Sequence, residues 1–209
     1  MYRLYDYLSS GNGYKVRLLL TQLGVPFERV ELDILKGETR TADFLARNPN
    51  GRIPTLEVEP GVYLAESNAI CCYLAEGTRF LPGDRLQRAQ VLQWMFFEQY
   101  SHEPNIATVR FWVTHDQLTP ERRAQLDGKR ALGYAALEVM ERHLARHPYF
   151  VAGRYTVADI ALYAYTHVAG EGGFDLGRFT AVNAWLRRVS EQPGYVEITD
   201  EVGSAVLTC

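Results

Sequence analysis

Cysteine is scarce: there are three in 209 residues, and two of them, Cys71 and Cys72, are adjacent. That spacing forms neither a CxxC pair nor a disulfide framework, and a reducing compartment fits it. Long hydrophobic runs are missing too; nothing approaches the roughly 18 apolar residues of a membrane span. Nor is one sign of charge concentrated. The net charge is -3 without a long basic run, which argues against an electrostatic nucleic-acid surface. The first residues, Met1-Tyr2-Arg3-Leu4-Tyr5, lack the apolar region and small-residue cleavage site of a signal peptide. No internal repeat or low-complexity tract stands out. A soluble, cytoplasmic product is expected, with no membrane or nucleic-acid partner. What the chain does have is apolar material, 47% of it, enough for a core in one large or two small domains.

The first part alternates strand and helix signals. Residues 2–7 alternate apolar and polar side chains with tyrosines, a strand, which Ser9-Ser10-Gly11-Asn12-Gly13 breaks with loop residues. Val16, Leu19, Leu20 and Leu23 repeat at helical spacing until Gly24 and Pro26 stop the pattern, and 27–32 reads as a second strand. A short helix is predicted over 41–46, then a strand over 55–59, a Pro60-Gly61 turn and a strand over 62–64. Ser67 is predicted to cap a helix with Ile70, Tyr73 and Leu74 on its apolar face. This order is an α/β layer pattern. Around 76–84 the composition shifts to Gly77, Pro82 and Gly83 among polar residues, and no comparable strand signal follows. Domains are therefore expected over 1–78 and 84–209. In the second, Ala89, Leu92, Phe96 and Tyr100 form one helical stripe. Leu126, Gly133, Leu137, Met140 and Leu144 form another, and Val182, Trp185, Leu186 and Val189 a third, which together read as an all-α helical bundle. Thr156 and Asp159 make a capping box flanked by Tyr155 and Ile160, with a structural role.

The functional signal lies in Asn48-Pro49-Asn50-Gly51-Arg52-Ile53-Pro54-Thr55-Leu56 and in Glu66-Ser67-Asn68-Ala69-Ile70. Pro54 has no amide hydrogen, so it marks the mouth of the strand that begins at Thr55. Ile53, pushed towards extended geometry by that proline, presents its amide and carbonyl in the way one strand-like peptide captures another. A helix start behind Ser67 attracts a carboxylate, and Glu66 offers an acceptor to an amino group. A peptide-like ligand fits this layout, and glutathione is one. On these two segments the chain resembles the glutathione transferase family, and the similarity extends over its whole length. The resemblance implies an α/β thioredoxin-like N-terminal domain, an all-α C-terminal domain, a cis Ile53-Pro54 peptide, glutathione as co-substrate and a homodimer.

A thiol of pKa about 8.5 is mostly protonated at pH 7, so a glutathione nucleophile needs its thiolate stabilised. Ser9, Ser10 and Asn12 lie in the loop that runs into the first helix, where a hydrogen-bond donor is needed; they are also ordinary turn residues. Setting Tyr14-Lys15-Val16-Arg17 beside the matching helix of serine-type and related bacterial glutathione transferases implies Ser10 as the thiol-activating residue, with Asn12 the alternative. The same resemblance implies Ile53, Pro54, Glu66 and Ser67 as glutathione-binding residues. Arg52 and Arg40 are candidates for the glycyl carboxylate. An apolar pocket for a small hydrophobic electrophile is expected between the domains, with Tyr7, Leu8, Tyr100, Arg110, Phe111 and Trp112 as candidate lining; plain core packing is the competing reading for each. No metal and no nucleotide is expected. Val16 occupies the place of the third glycine of a dinucleotide loop, no lysine-serine pair follows Gly13, and His143 with His147 reads as an exposed pair lacking further ligands. The expected activity is conjugation of glutathione to small electrophiles, a detoxifying reaction. The alternatives are glutathione-dependent disulfide or peroxide reduction, and a glutathione-binding interaction module without turnover.

Overall fold

The structure is a computed structural model that describes residues 1–206. Two compact units emerge, one made of Met1–Glu76 together with the chain from Gln192 onward, the other of Gly77–Glu191. In the first, strand β1 (Tyr2–Asp6) is followed by helix α1 (Gly11–Leu23) and strand β2 (Phe27–Glu31), and β1 and β2 pair in parallel. Helix α2 (Ala42–Arg47) is capped by Thr41, whose Oγ1 accepts from the Phe44 amide at 3.2 Å. That cap places Phe44 in a core cluster with Tyr5, Val30 and Leu32, against which Ile53 and Tyr63 pack. Strands β3 (Thr55–Glu59) and β4 (Val62–Ala65) form an antiparallel hairpin, β3 also pairs antiparallel with β1, and helix α3 (Ser67–Ala75) follows. Cys71 is buried on α3.

The end of the chain departs from the expected 84–209 domain. A short strand β5 (Ser204–Val206) adds in parallel to β2 and completes a five-stranded sheet of order β4-β3-β1-β2-β5. Three residues are too few to display a period of two, so nothing in the sequence pattern announced it. Residues 207–209 lie outside the described residues.

The second unit is helical: α4 (Arg85–Phe97), α5 (Glu103–Thr114), α6 (Pro120–Leu144), α7 (Val157–Thr166) and α8 (Thr180–Ser190). The α6 and α8 stripes face inward as expected, with Gly133, Leu137, Met140 and Leu144 buried on one and Val182, Trp185 and Val189 on the other. Helix α4 is turned the other way. Its buried face is Val91, Trp94 and Met95, whereas Leu92, Phe96 and Tyr100 are 38%, 70% and 87% exposed. Two apolar stripes compete on this helix, and the one carrying Trp94, whose ring lies 4.6 Å from that of Phe150, takes the core. Between α4 and α5 the chain makes a π-helical turn over Glu98–His102, where the Glu103 amide reaches back to Glu98 O. Pro104, in the first turn of α5, has no amide to offer the preceding turn, which accounts for the change of register there. Thr156 and Asp159 form the expected capping box at the start of α7.

Candidate functional site

Strand register brings the candidate segments together. Tyr5 faces Thr55 across β1 and β3, and Thr55 faces Ala65 across β3 and β4. The turn after β1, the Ile53-Pro54 peptide before β3 and the Glu66-Ser67 pair after β4 therefore emerge at one end of the sheet.

Ser10 is the N-cap of α1, in extended geometry, and its Oγ accepts from the Gly13 amide at 3.3 Å. A capping hydroxyl accepts through a lone pair and keeps its own proton to donate outward. The Ser9 hydroxyl oxygen is buried. Asn12 Oδ1 accepts a hydrogen bond from Ser67 Oγ at 3.2 Å, so the two ends of the candidate site touch directly. Lys15, fully buried, donates from Nζ to Ser67 Oγ at 3.3 Å and to Asn68 Oδ1 at 3.4 Å. In the sequence Lys15 stands out only as a charge set among the apolar positions of α1.

Below this turn sits a buried ion pair. Asp6 Oδ2 lies 2.9 Å from Arg17 Nε, with both side chains at 0% exposure. Burial pushes the Asp6 carboxyl up to about 6, against the pull of Arg17 and of the Tyr7 amide. Burial likewise lowers the Arg17 guanidinium, against the pull of Asp6. A Cβ at residue 13 would fall 1.6 Å from Asp6 Oδ1, so glycine is the residue that lets α1 start here.

The Ile53-Pro54 peptide is cis, as the family resemblance implied. Ile53 packs its side chain against the Tyr5 cluster, while its amide and carbonyl make no hydrogen bond among the described residues. Asn48 fastens the loop beneath it: Nδ2 donates to Arg52 O at 2.8 Å and to Thr55 Oγ1 at 3.1 Å, and Oδ1 accepts from the Asn50 amide at 3.1 Å. Arg40 Nη1 donates to Asn50 O at 3.0 Å, whereas Arg52 is exposed and has no side-chain partner among the described residues.

Glu66 carries a positive φ of 67°. For a residue with a Cβ this costs on the order of 1 to 3 kcal/mol, and such strain gathers at functional positions. Its exposed carboxylate has no partner among the described residues. Ser67 is the first residue of α3 and not its cap, which corrects the expectation. The cap position is Glu66, without a side-chain bond, because the Ser67 hydroxyl is already engaged by Asn12 and Lys15. The first amides of α3 keep their attraction for an anion.

Of the candidate pocket residues, Tyr7 and Leu8 are half-buried in the turn after β1. The others belong to the helical unit. Tyr100 stands exposed on the π-turn, Phe111 is half-buried and stacks on His115, and Trp112 is buried. Arg110 is buried too, with Nε donating to Glu171 Oε2 at 2.7 Å. His143 is half-buried between Trp94 and Phe150 instead of exposed, and its ring lies 4.6 Å from that of His147. Among the described residues no group of three or more His, Cys, Asp or Glu is placed to hold a metal ion. No helix among them is long and apolar enough to cross a membrane.

Comparison with known proteins gives the same reading for both units. The family described as "Glutathione S-transferase, N-terminal domain" matches residues 1–76, and "Glutathione S-transferase, C-terminal domain" matches residues 100–193. The crystal structure of a glutathione S-transferase from Pseudomonas fluorescens Pf-5 is 53% identical, covers 95% of this chain and 99% of its own, and superimposes with a TM-score of 0.93. The glutathione transferase URE2P6 from Phanerochaete chrysosporium, solved in complex with oxidized glutathione, is 28% identical with a TM-score of 0.81 over 92% of each chain. Disulfide-bond oxidoreductase YghU from Escherichia coli K12 is 27% identical over 212 residues, which span 89% of this chain and 70% of the relative.

Proposed function

The chain belongs to the glutathione S-transferase family, and from that premise we propose that it conjugates glutathione to small hydrophobic electrophiles. Ser10 donates a hydrogen bond from its hydroxyl to the sulfur and so stabilises the thiolate left when the thiol proton departs to water. Ile53 pairs with the cysteinyl backbone, with Pro54 closing the strand behind it. Glu66 takes the γ-glutamyl ammonium, and the backbone amide of Ser67 at the start of α3 takes the γ-glutamyl carboxylate, its hydroxyl being engaged by Asn12 and Lys15. Arg52 meets the glycyl carboxylate, because Arg40 is already engaged with Asn50 O. The thiolate then attacks an electrophilic carbon beside Tyr7 and Leu8; a carbon-sulfur bond forms, and the leaving group departs with its electron pair. Catalysis comes from positioning and from a nucleophile that is already ionised.

The observation that carries this reading is the convergence, at one end of the sheet, of the Ser10 cap with an Ile53 peptide and a Glu66 carboxylate that have no partner among the described residues. A dinitrohalobenzene assay tests it. Wild type should conjugate, and Ser10→Ala should lose about tenfold in rate near pH 6.5, the equivalent of one pKa unit in the thiol. Full activity in Ser10→Ala would move the role to Asn12.

A second reading is glutathione-dependent disulfide reduction, favoured by Asn12 at the junction with Ser67 and by the oxidoreductase relative from Escherichia coli. Coupling to glutathione reductase separates the two, since reduction consumes NADPH and conjugation does not. The protein works as a cytoplasmic homodimer in this account. The outward stripe of Leu92 and Phe96 on α4, continued by Tyr100 on the π-turn, supports a second copy there, and Phe96→Glu should shift sedimentation towards monomer.

A further inference from the structure

Four of the contacts made by Arg17 join pieces of chain far apart in sequence. Nε pairs with Asp6 at the end of β1, and Nη2 donates to Leu8 O at 2.5 Å in the turn that presents Ser10. From the other side, Nη1 donates to Ile198 O at 3.1 Å and to Asp200 O at 3.2 Å. The C-terminal segment is thereby strapped along α1. Tyr14 adds a second fastening, its hydroxyl donating to Val196 O at 2.7 Å. At Gly194, with φ of 72°, the strap runs so close that a Cβ would lie 3.1 Å from Gln22 Cα. Tyr14 and Arg17 are both fully buried. A guanidinium is a rigid fork, so a carbonyl held on one side fixes where its other nitrogens point. The seating of the strap therefore sets where Leu8 O is held, and with it the turn whose Ser10 amide bonds Tyr7 O at 2.8 Å.

We propose that the segment 194–200 is a working part of the thiol-binding turn, and that Arg17 is the positioning residue coupling the two. The inference rests on the reading of Ser10 as the sulfur's partner. Arg17 touches neither the Ile53 peptide nor the Glu66-Ser67 pair, so loosening it misplaces the sulfur's partner without removing the tripeptide's anchors. Loss of the strap then raises the thiol pKa while leaving glutathione affinity nearly unchanged.

The test uses the full-length protein with three substitutions: Arg17→Lys, which keeps a cation near Asp6 but cannot serve all three carbonyls; Tyr14→Phe, which removes one strap bond; and Gly194→Val, which lifts the strap from α1. Two readouts are taken on each. One is the thiolate absorbance of bound glutathione against pH, with the glutathione KM. The other is amide hydrogen exchange of residues 7–13 without ligand, which needs no assumption about function. Arg17→Lys and Gly194→Val should each raise the thiol pKa by about one unit, with KM changed less than about twofold and exchange in the turn faster. Tyr14→Phe should move the same way by less. If wild type binds no glutathione, the functional reading fails, while the exchange result still judges the coupling. If wild type binds and ionises glutathione but the variants lose only melting temperature, with turn exchange and thiol pKa unchanged, the strap is merely structural and the proposal is overturned.

Discussion

Asp6 in the first unit and Asp159 in the second are both fully buried, and burial pushes both carboxyls up to about 6. Their partners differ. Asp6 is paired with a charge, Arg17, whereas Asp159 is held by neutral donors: the Thr156 amide and hydroxyl, the Phe150 amide and Trp185 Nε1 at 3.0 Å. Asp159 closes a helix start and ties it to Phe150 and to Trp185 on α8. Asp6 lies under the turn that carries the candidate chemistry, and its partner Arg17 reaches on to carbonyls of the C-terminal segment. Equal burial thus serves two ends, and the type of partner tells them apart.

The largest effect should come from breaking the charged pair. Arg17→Leu leaves the Asp6 carboxylate buried alone and three carbonyls without their donor, which should cost about 3 to 5 kcal/mol in chemical unfolding. Adding Asp6→Asn should recover part of that loss. No such recovery is expected when Asp159→Asn is combined with Trp185→Phe.

Titration should reveal what the two carboxyls share. An unfolded Asp titrates near 3.9, so between pH ~4 and ~6 the folded state binds more protons than the unfolded state, and stability contributed at these sites falls as pH rises through that window. Comparing wild type with Asp6→Asn or Asp159→Asn, the balance should move towards wild type by roughly 2 kcal/mol between pH 7 and pH 4. Constancy of that difference would mean the carboxyls are not perturbed as described. His167 is the counterexample of opposite sign. Burial pushes it down to about 4, so the unfolded state binds the extra proton and stability is lost as pH falls below ~6.5. Relative to His167→Gln, wild type should lose about 2 kcal/mol between pH 7 and pH 5 by the same measurement. The smallest effect belongs to the local motif: Thr156→Ala should cost about 1 kcal/mol as a lost N-cap.

The same contrast explains what could be read in advance. Thr156 and Asp159 lie three apart, and the capping box was legible because its partners are fixed by helix geometry. The Ile53-Pro54 and Glu66-Ser67 segments were legible for a like reason, as contiguous peptides with distinctive residues. The Asp6–Arg17 pair was not, since its purpose depends on carbonyls of Ile198 and Asp200 brought back by β5. Helix α4 shows another limit. Periodicity found the helix but could not choose between the Trp94 face and the Phe96 face, a choice made by the partners that each face meets. Ser67 misled because serine before an apolar run is a cap signal, while here its hydroxyl is spent on Asn12 and Lys15.

In the proposed mechanism the turn after β1 holds glutathione as its thiolate through Ser10. Ultraviolet titration of glutathione bound to wild type and to Ser10→Ala tests it most directly. A bound-thiol pKa below the free value of about 8.5 is expected in wild type, and one about a unit higher in the variant. Binding without any change in thiol ionisation, or the same lowered pKa in both proteins, would contradict it.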